Sequence, residues 1–258
     1  MFSKPFFLIL LASLPFYTNS LTICGVSVPH AKSSPISRSL DGIDWNLDFP
    51  YTSAGLTPEW SGNDGAFYTL PKFVHHAGPE CRASLTEFYS CCLPEKGTGA
   101  TLDLCSSFTS HYPEGWKGSY SVALGLNPLE LLFNPSKTSF KVQNLNENPT
   151  LPYPPSTFDV ITNSLSVDYL TSPLKIFNEM HRVLKPNGLA CMAFTNRCFP
   201  TKVVPIWKAP FTEENHVKIV ASYFKYCGEE WSEVGVVDVS PKGWVGERDP
   251  MIVVVGRK

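Results

Sequence analysis

The chain has 258 residues, a formal net charge of -2 and 17% charged residues, the last below the usual share of roughly 25%. A chain of this length buries a sizeable core, and so small a charge supplies no basic field to hold nucleic acid without sequence preference. Its 8 cysteines form no C-x-x-C pair, and HExxH, G-x-S-x-G and P-loop patterns are absent, which sets aside a structural zinc site and several common hydrolytic and nucleotide-handling classes.

In chain order, residues 1–20, "MFSKPFFLILLASLPFYTNS", read as a signal or targeting peptide. Lys4 precedes an apolar run too short to span a bilayer, and Pro15 interrupts it. No stable membrane span is expected in the mature chain. Residues 21–64 are rich in turn formers and weak in periodicity. No acidic residue precedes Asp41, and Lys32 and Arg38 stand in the Ser-rich "HAKSSPISRS", a composition like that of a plastid transit peptide. The pair implies passage into the secretory pathway, then a plastid or secretion. "DGIDWNLDFPYTSAGLTPEW" is expected to lay its aromatics on the folded domain as an extended arm. That domain is assigned to 65–258.

Within it, "PECRASLTEFYSCCLP" places Leu85, Phe88, Tyr89 and Cys92 at helical spacing, closed by Pro94 and Gly97. "ATLDLC" and "SYSVALGLN" read as strands. "PLELLFN" is a short helix whose Pro128 falls where a missing N–H costs nothing. "SFKVQNLN" and "STFDVITNSLS" are a third and fourth strand. "SPLKIFNEMHRVLKPNG" is a helix with Leu174, Phe177, Met180, His181 and Leu184 on one face, stopped by Pro186, Asn187 and Gly188. "GLACMAFTN" is a fifth strand. "TEENHVKIVASYFKYCG" is a helix opened by Thr212 with Glu213 and Glu214 in its first turn. "VGVVDVS" and "PMIVVVGRK" supply two terminal strands. Strands alternating with helices imply an α/β fold with a mostly parallel sheet, helices on both faces and an antiparallel C-terminal edge.

Ligands of such sheets lie beyond the carboxyl ends of the strands. Those ends carry Asp103, Cys105, Ser106 and Ser107; then Asn127; then Asn144, Leu145 and Asn146; then Asn163, Ser164 and Ser166. Each alone is an ordinary turn former, but four consecutive strands ending this way point to one shared pocket. His111 follows the first turn and reads either as a base for an acceptor or as a solvated or helix-packing histidine. Asp168 and Tyr169 follow the fourth strand, Tyr169 being equally readable as a core aromatic. His75 and His76, before the first helix, read as surface residues or as part of a lid.

"LDLCSS", "LGLNPLEL", "LPYPPSTFDVI" and "NEMHRVLKPNG" together resemble the successive motifs of class I S-adenosylmethionine-dependent methyltransferases, the methyltransferase type 11 group in particular. The last two segments are the more specific, with Glu179, Arg182, Val183, Leu184, Lys185, Pro186 and Gly188 as the matching residues. The resemblance covers about Phe67 to Lys258. It implies a Rossmann-like seven-stranded sheet, S-adenosylmethionine as cofactor and a small-molecule acceptor. It assigns Asp103, Cys105, Ser106, Ser107, Asn127, Asn144, Leu145, Asn163 and Ser164 to the cofactor, and His111, Asp168 and Tyr169 to the acceptor's chemistry. The family's first-strand turn is Gly-rich; here Cys105, Ser106 and Ser107 stand in it, and the serine hydroxyls are expected to bond the cofactor carboxylate. Asn127 stands where an acid grips the ribose hydroxyls, and Asn144 where an acid meets the adenine amine. Both are expected to accept through their amide oxygens. "LDLCSSFTSH" and "FTNRCFPTK" resemble a plant and algal subgroup, and in the second stretch Arg197 and Lys202 are expected to meet an anionic substrate. The replaced glycines and acids leave a second expectation open, a non-catalytic Rossmann-like scaffold.

Overall fold

The computed structural model of the chain describes residues 37–40, 43–60, 62–241 and 250–258, with a two-residue antiparallel ladder between Thr22–Ile23 and Val26–Ser27. The leader expected at 1–20, and most of the basic, Ser-rich stretch, lie outside the described residues. The elements run β1 (Ser37–Ser39), α1 (Asp64–Phe67), α2 (Pro79–Cys92), β2 (Ala100–Leu104), β3 (Tyr120–Gly125), α3 (Pro128–Phe133), β4 (Ser139–Val142), β5 (Phe158–Ser164), α4 (Pro173–Val183), β6 (Leu184–Phe194), α5 (Glu213–Tyr226), β7 (Glu233–Asp238) and β8 (Ile252–Arg257). They form a sheet in the order β1-β7-β8-β6-β5-β2-β3-β4. Strands β2 to β6 are parallel, β8 is antiparallel to β6 and β7, and β1 is antiparallel to β7. Seven of these strands make the Rossmann-like sheet expected from the sequence. The eighth, β1, comes from the arm and extends the antiparallel edge.

The two-residue period of a strand divides the core in two. Ala190, Met192 and Phe194 of β6, with Ile252 and Val254 of β8, face the layer that holds Ile176, Phe177 and Met180 of α4 and Val217, Val220 and Phe224 of α5. Leu189, Cys191 and Ala193, with Val253 and Val255, face Leu85, Phe88 and Tyr89 of α2. Such a strand must be apolar throughout, which is why "GLACMAF" and "MIVVV" show no alternation. Outside this core Trp45 meets Tyr226 edge-on at 6.1 Å, and Phe49 packs on Tyr226 at 5.8 Å. The Tyr226 hydroxyl donates to the Asn46 carbonyl at 2.6 Å, fastening this segment to α5.

Helix α4 differs from its sequence reading at both its face and its end. Its buried residues are Pro173, Ile176, Phe177, Met180 and Val183. His181 instead lies at the margin, its Nε2 3.2 Å from the Glu230 carbonyl and its Nδ1 3.4 Å from Glu229. The helix stops at Val183, ahead of the Pro186–Gly188 stop, and β6 begins at once. The cause is the neighbouring chain: Ser156 N donates to the Arg182 carbonyl and Thr157 N to that of Val183, so these carbonyls serve the β5 approach.

The Glu179–Arg182 pair shows what this motif does physically. Arg182 donates to both Glu179 carboxylate oxygens at 2.7 Å and to the carbonyls of Leu151 and Tyr153 at 2.9 Å. Glu179 Oε2 accepts from Leu151 N at 2.8 Å. A planar fork with five donors suits this three-way clamp, and lysine would not. The Pro-rich segment entering β5 is thereby pinned to α4. Arg182→Met is expected to lower unfolding stability by about 2 kcal/mol, the worth of a few charge-assisted hydrogen bonds, as measured by urea denaturation. Arg182→Lys is expected to recover less than half of that loss.

Candidate active site

A cavity of about 430 Å³ opens at the carboxyl ends of β2 to β6, within the range that holds cofactor-sized ligands. Its floor is built from the first turn. Asp103, the fourth residue of β2, is buried, and its carboxylate accepts from the Ser106 hydroxyl at 2.5 Å and the Thr162 hydroxyl at 2.8 Å. Asn134 Nδ2 donates to Ser106 Oγ, Ser110 Oγ and the Ser107 carbonyl at 2.8 to 3.2 Å. Burial pushes the Asp103 carboxyl up to about 6, against the opposing pull of the Ser106, Ser110 and Thr162 hydroxyls.

The turn without glycine works because the glycine stands on the next strand. Ser106 N donates to the Leu124 carbonyl at 2.7 Å, drawing the turn across β3. A Cβ at Gly125 would overlap the Ser106 carbonyl oxygen. Cys105 and His111 take positive φ, 54° and 57°, without being glycine, a conformation that costs about 1 kcal/mol or more per residue. Burial raises the Cys105 thiol to about 12, so it stays protonated.

The serine hydroxyls are spent on the protein: Ser106 on Asp103, and Ser107 on Glu130 Oε2 at 2.6 Å. A cofactor carboxylate, the partner expected for them, would have to draw a hydroxyl away from one of these bonds. Asn127 also has a different role. Its Oδ1 accepts from Leu129 N and Glu130 N, capping α3, and its Nδ2 donates to the carbonyls of Tyr68 and Thr69. Both ends of the amide are occupied. The carboxylate at this edge is Glu130, buried in the first turn of α3, lining the cavity, and accepting from Lys72 N at 2.6 Å. Glu130 is not among the residues expected from the sequence. Asn127-x-x-Glu130 has the spacing of a capping box, which was the available signal. Asn144 Oδ1 accepts from Asn146 N at 3.0 Å, so its amide nitrogen is the group left to donate.

The roof is the segment from α1 to His76. Asp64 pairs with Lys202 and accepts from Asn146 Nδ2 at 3.1 Å. Lys202 is buried in that pair and lies 4.4 Å from the Trp60 ring centre. It is thus a clasp between roof and floor, not a surface cation awaiting an anionic substrate. Arg197 is exposed and lines the cavity. Lys72 Nζ sits 3.8 Å above the Phe67 ring and 5.0 Å from those of Tyr68 and Phe199.

Of the residues read from the sequence, Asp103, Cys105, Ser106, Ser107, His111, Asn127, Asn144, Leu145, Ser164, Tyr169, Arg197 and Lys202 line this cavity, as do His75 and His76. Asn163 and Asp168 do not. Asn163 precedes Ser164 in β5 and so faces the opposite side, where its Nδ2 donates to the Leu104 carbonyl. Asp168 is turned inward on the 3-10 turn Val167–Tyr169, and its Oδ2 has no hydrogen-bond partner among the described residues. Tyr169 is held in place, its hydroxyl accepting from Phe199 N at 2.8 Å. Burial lowers His111 to about 4, with the charges of His75, Arg82 and His76 adding to the effect, so its imidazole is neutral at neutral pH.

Burial raises Asp168 from 3.8 to about 8. Below the lower value both folded and unfolded chains hold the proton. Between the two the unfolded chain releases it and the folded chain keeps it, so stability falls as pH rises through this window. Asp168→Asn removes that slope. Its melting temperature is expected to drop less than that of the unaltered chain between pH 5 and pH 8.5, measured by differential scanning calorimetry.

Residues 121–192 match the methyltransferase domain family Methyltransf_11. No curated protein sequence matches the chain at a significant level. Among solved structures, the methyltransferase chain in the complex with the Haloferax volcanii Trm112 methyltransferase activator is similar with a TM-score of 0.50 and 14% identity, covering 69% of this chain and 90% of that one. An S-adenosylmethionine-dependent methyltransferase from Mesorhizobium loti aligns with a TM-score of 0.46 and 17% identity, covering 68% of this chain and 98% of that one. The chain therefore has the Rossmann-like fold of the class I methyltransferases, and its central segment, 121–192, is a methyltransferase type 11 domain match.

Proposed function

We propose that the chain transfers a methyl group from S-adenosylmethionine to a small-molecule acceptor. The observation that carries this reading is the cavity where strands β2 to β6 end, large enough for a nucleoside with an amino-acid tail, with a carboxylate and several aromatic rings in its lining. The residues present suit that cofactor. Glu130 is placed to take paired ribose hydroxyls, and Asn144 has an amide nitrogen to give to a base. Tyr68, Phe108, Tyr169 and Phe199 are in the lining, and aromatic rings favour a positive sulfonium over an aliphatic wall. When bound, the cofactor supplies a methyl carbon: the acceptor's lone pair bonds to it, the carbon–sulfur bond breaks, and its electron pair stays on sulfur.

The chain's own part is alignment. Holding two reactants in line supplies most of the acceleration such a displacement needs. His111, neutral and at the lining, can accept a hydrogen bond from the acceptor's N–H or O–H; with so low a proton affinity it orients the nucleophile more than it deprotonates it. Arg197 would meet an anionic group on the acceptor.

A second reading, a non-catalytic scaffold, is favoured by one observation: Asn127, Ser106 and Ser107 already satisfy one another's neighbours and the roof. Calorimetric titration separates the two. The full chain is expected to bind S-adenosylhomocysteine with a Kd of about 10 µM, and Glu130→Gln to weaken it by roughly tenfold, the worth of one charge-assisted pair of bonds, at a temperature where circular dichroism shows the variant folded. A folded chain that gives no heat at about 1 mM ligand would leave the scaffold standing.

A further inference from the structure

Helix α3 turns most of its hydrocarbon outward. Glu130 and Leu131 are buried, while Leu129, Leu132 and Phe133 face solvent. Beside it, Leu70, Phe73 and Val74 of the roof do the same, and these six side chains are each between 50% and 77% exposed. They form one surface. Phe73 meets Phe133 edge-on at 5.6 Å, and the bonds from Asn127 to Thr69 and from Lys72 to Glu130 tie the two segments side by side. Isolated exposed leucines need no explanation, but a contiguous apolar face does.

The face also leads inward. Phe73 stacks edge-on with Phe108 at 5.6 Å, and Phe108 and Val74 line the cavity. Hydrocarbon runs without a break from the outer surface into the pocket. A protein partner would use the outer part alone; a substrate that passes from that surface into the site uses both. Charge plays little part. Lys137 at the rim is spent on the carbonyls of Leu132 and Asn134, and the chain's net charge is -2.

We propose that this face seats on a lipid surface, and that the acceptor is an amphipathic molecule whose hydrocarbon portion stays in that surface while its nucleophilic group enters the cavity. The second half rests on the methyltransferase reading; the first does not. Seating is hydrophobic, so it is insensitive to salt.

The test is hydrogen–deuterium exchange of the full chain with and without phosphatidylcholine vesicles, at low and high salt. Expected is vesicle-dependent protection at residues 70–74 and 129–133 at both salt levels. The vesicle concentration for half-protection should rise roughly tenfold in Leu132→Ser/Phe133→Ser and in Leu70→Ser/Phe73→Ser. Both variants alter exposed side chains, and each should keep the S-adenosylhomocysteine affinity of the unaltered chain. No protection at these residues, protection confined to the amino-terminal leader, or equal protection in the variants would overturn the seating. So would a dimer that Leu132→Ser/Phe133→Ser dissociates, since a second copy would then cover the face. Protection without S-adenosylhomocysteine binding would remove the acceptor half and the methyltransferase reading together, leaving only the lipid contact.

Discussion

The buried carboxyl of Asp103 is the joint on which the cavity depends. It receives the Ser106 hydroxyl from the turn that follows its own strand and the Thr162 hydroxyl from the neighbouring β5. Tyr112, farther along the turn, reaches the same Thr162 at 2.7 Å. A carboxyl this deep is costly to ionise unless its lone pairs are occupied. The turn therefore folds down over β2 to supply the donors. The cost and the cure are one structure: the hydroxyls that steady the carboxyl also hold Cys105 in a left-handed conformation and bring Ser106 against Gly125.

The polar tips of the strands do a second job. Asn127, Glu130 and Asn146 hold backbone or side-chain groups of the roof at Tyr68, Thr69, Lys72 and Asp64. Floor and roof thus share the same hydrogen-bonding groups. A ligand that takes up Glu130 competes with Lys72 N and the Ser107 hydroxyl, so binding and roof position are coupled through one carboxylate. The Asp64–Lys202 clasp, buried against Trp60 and Phe67, gives the roof a fixed hinge point at its other end.

The roof then has two chemically distinct sides. Inside, Lys72 sits among aromatic rings and the histidines line the cavity; outside, hydrocarbon is turned to solvent. The short α3 repeats the division, with Glu130 and Leu131 inward and Leu129, Leu132 and Phe133 outward. Both segments flank the opening, which is what joins the chemistry of the interior to that of the surface.

The alternation of strands and helices, the parallel sheet and the carboxyl-edge location of the site were legible in the sequence because they rest on local patterns: apolar runs, caps and stops whose spacing is set by backbone geometry. Twelve of the residues assigned to the site line the cavity for that reason. What the local pattern could not carry was partnership. Asn127 and Lys202 look like ligand groups in the chain and are structural ties in the fold, because their partners, Tyr68 and Asp64, stand 59 and 138 positions away. Glu130 looks like an exposed helical acid and is buried, because the roof closes over it. Asn163 and Ser164 are adjacent in sequence and lie on opposite sides of β5. Composition and period alone determined which segments form the sheet and where it ends. The tertiary structure decided which of the polar groups at that edge are already satisfied, since satisfaction depends on donors and acceptors that only the packed chain brings within reach.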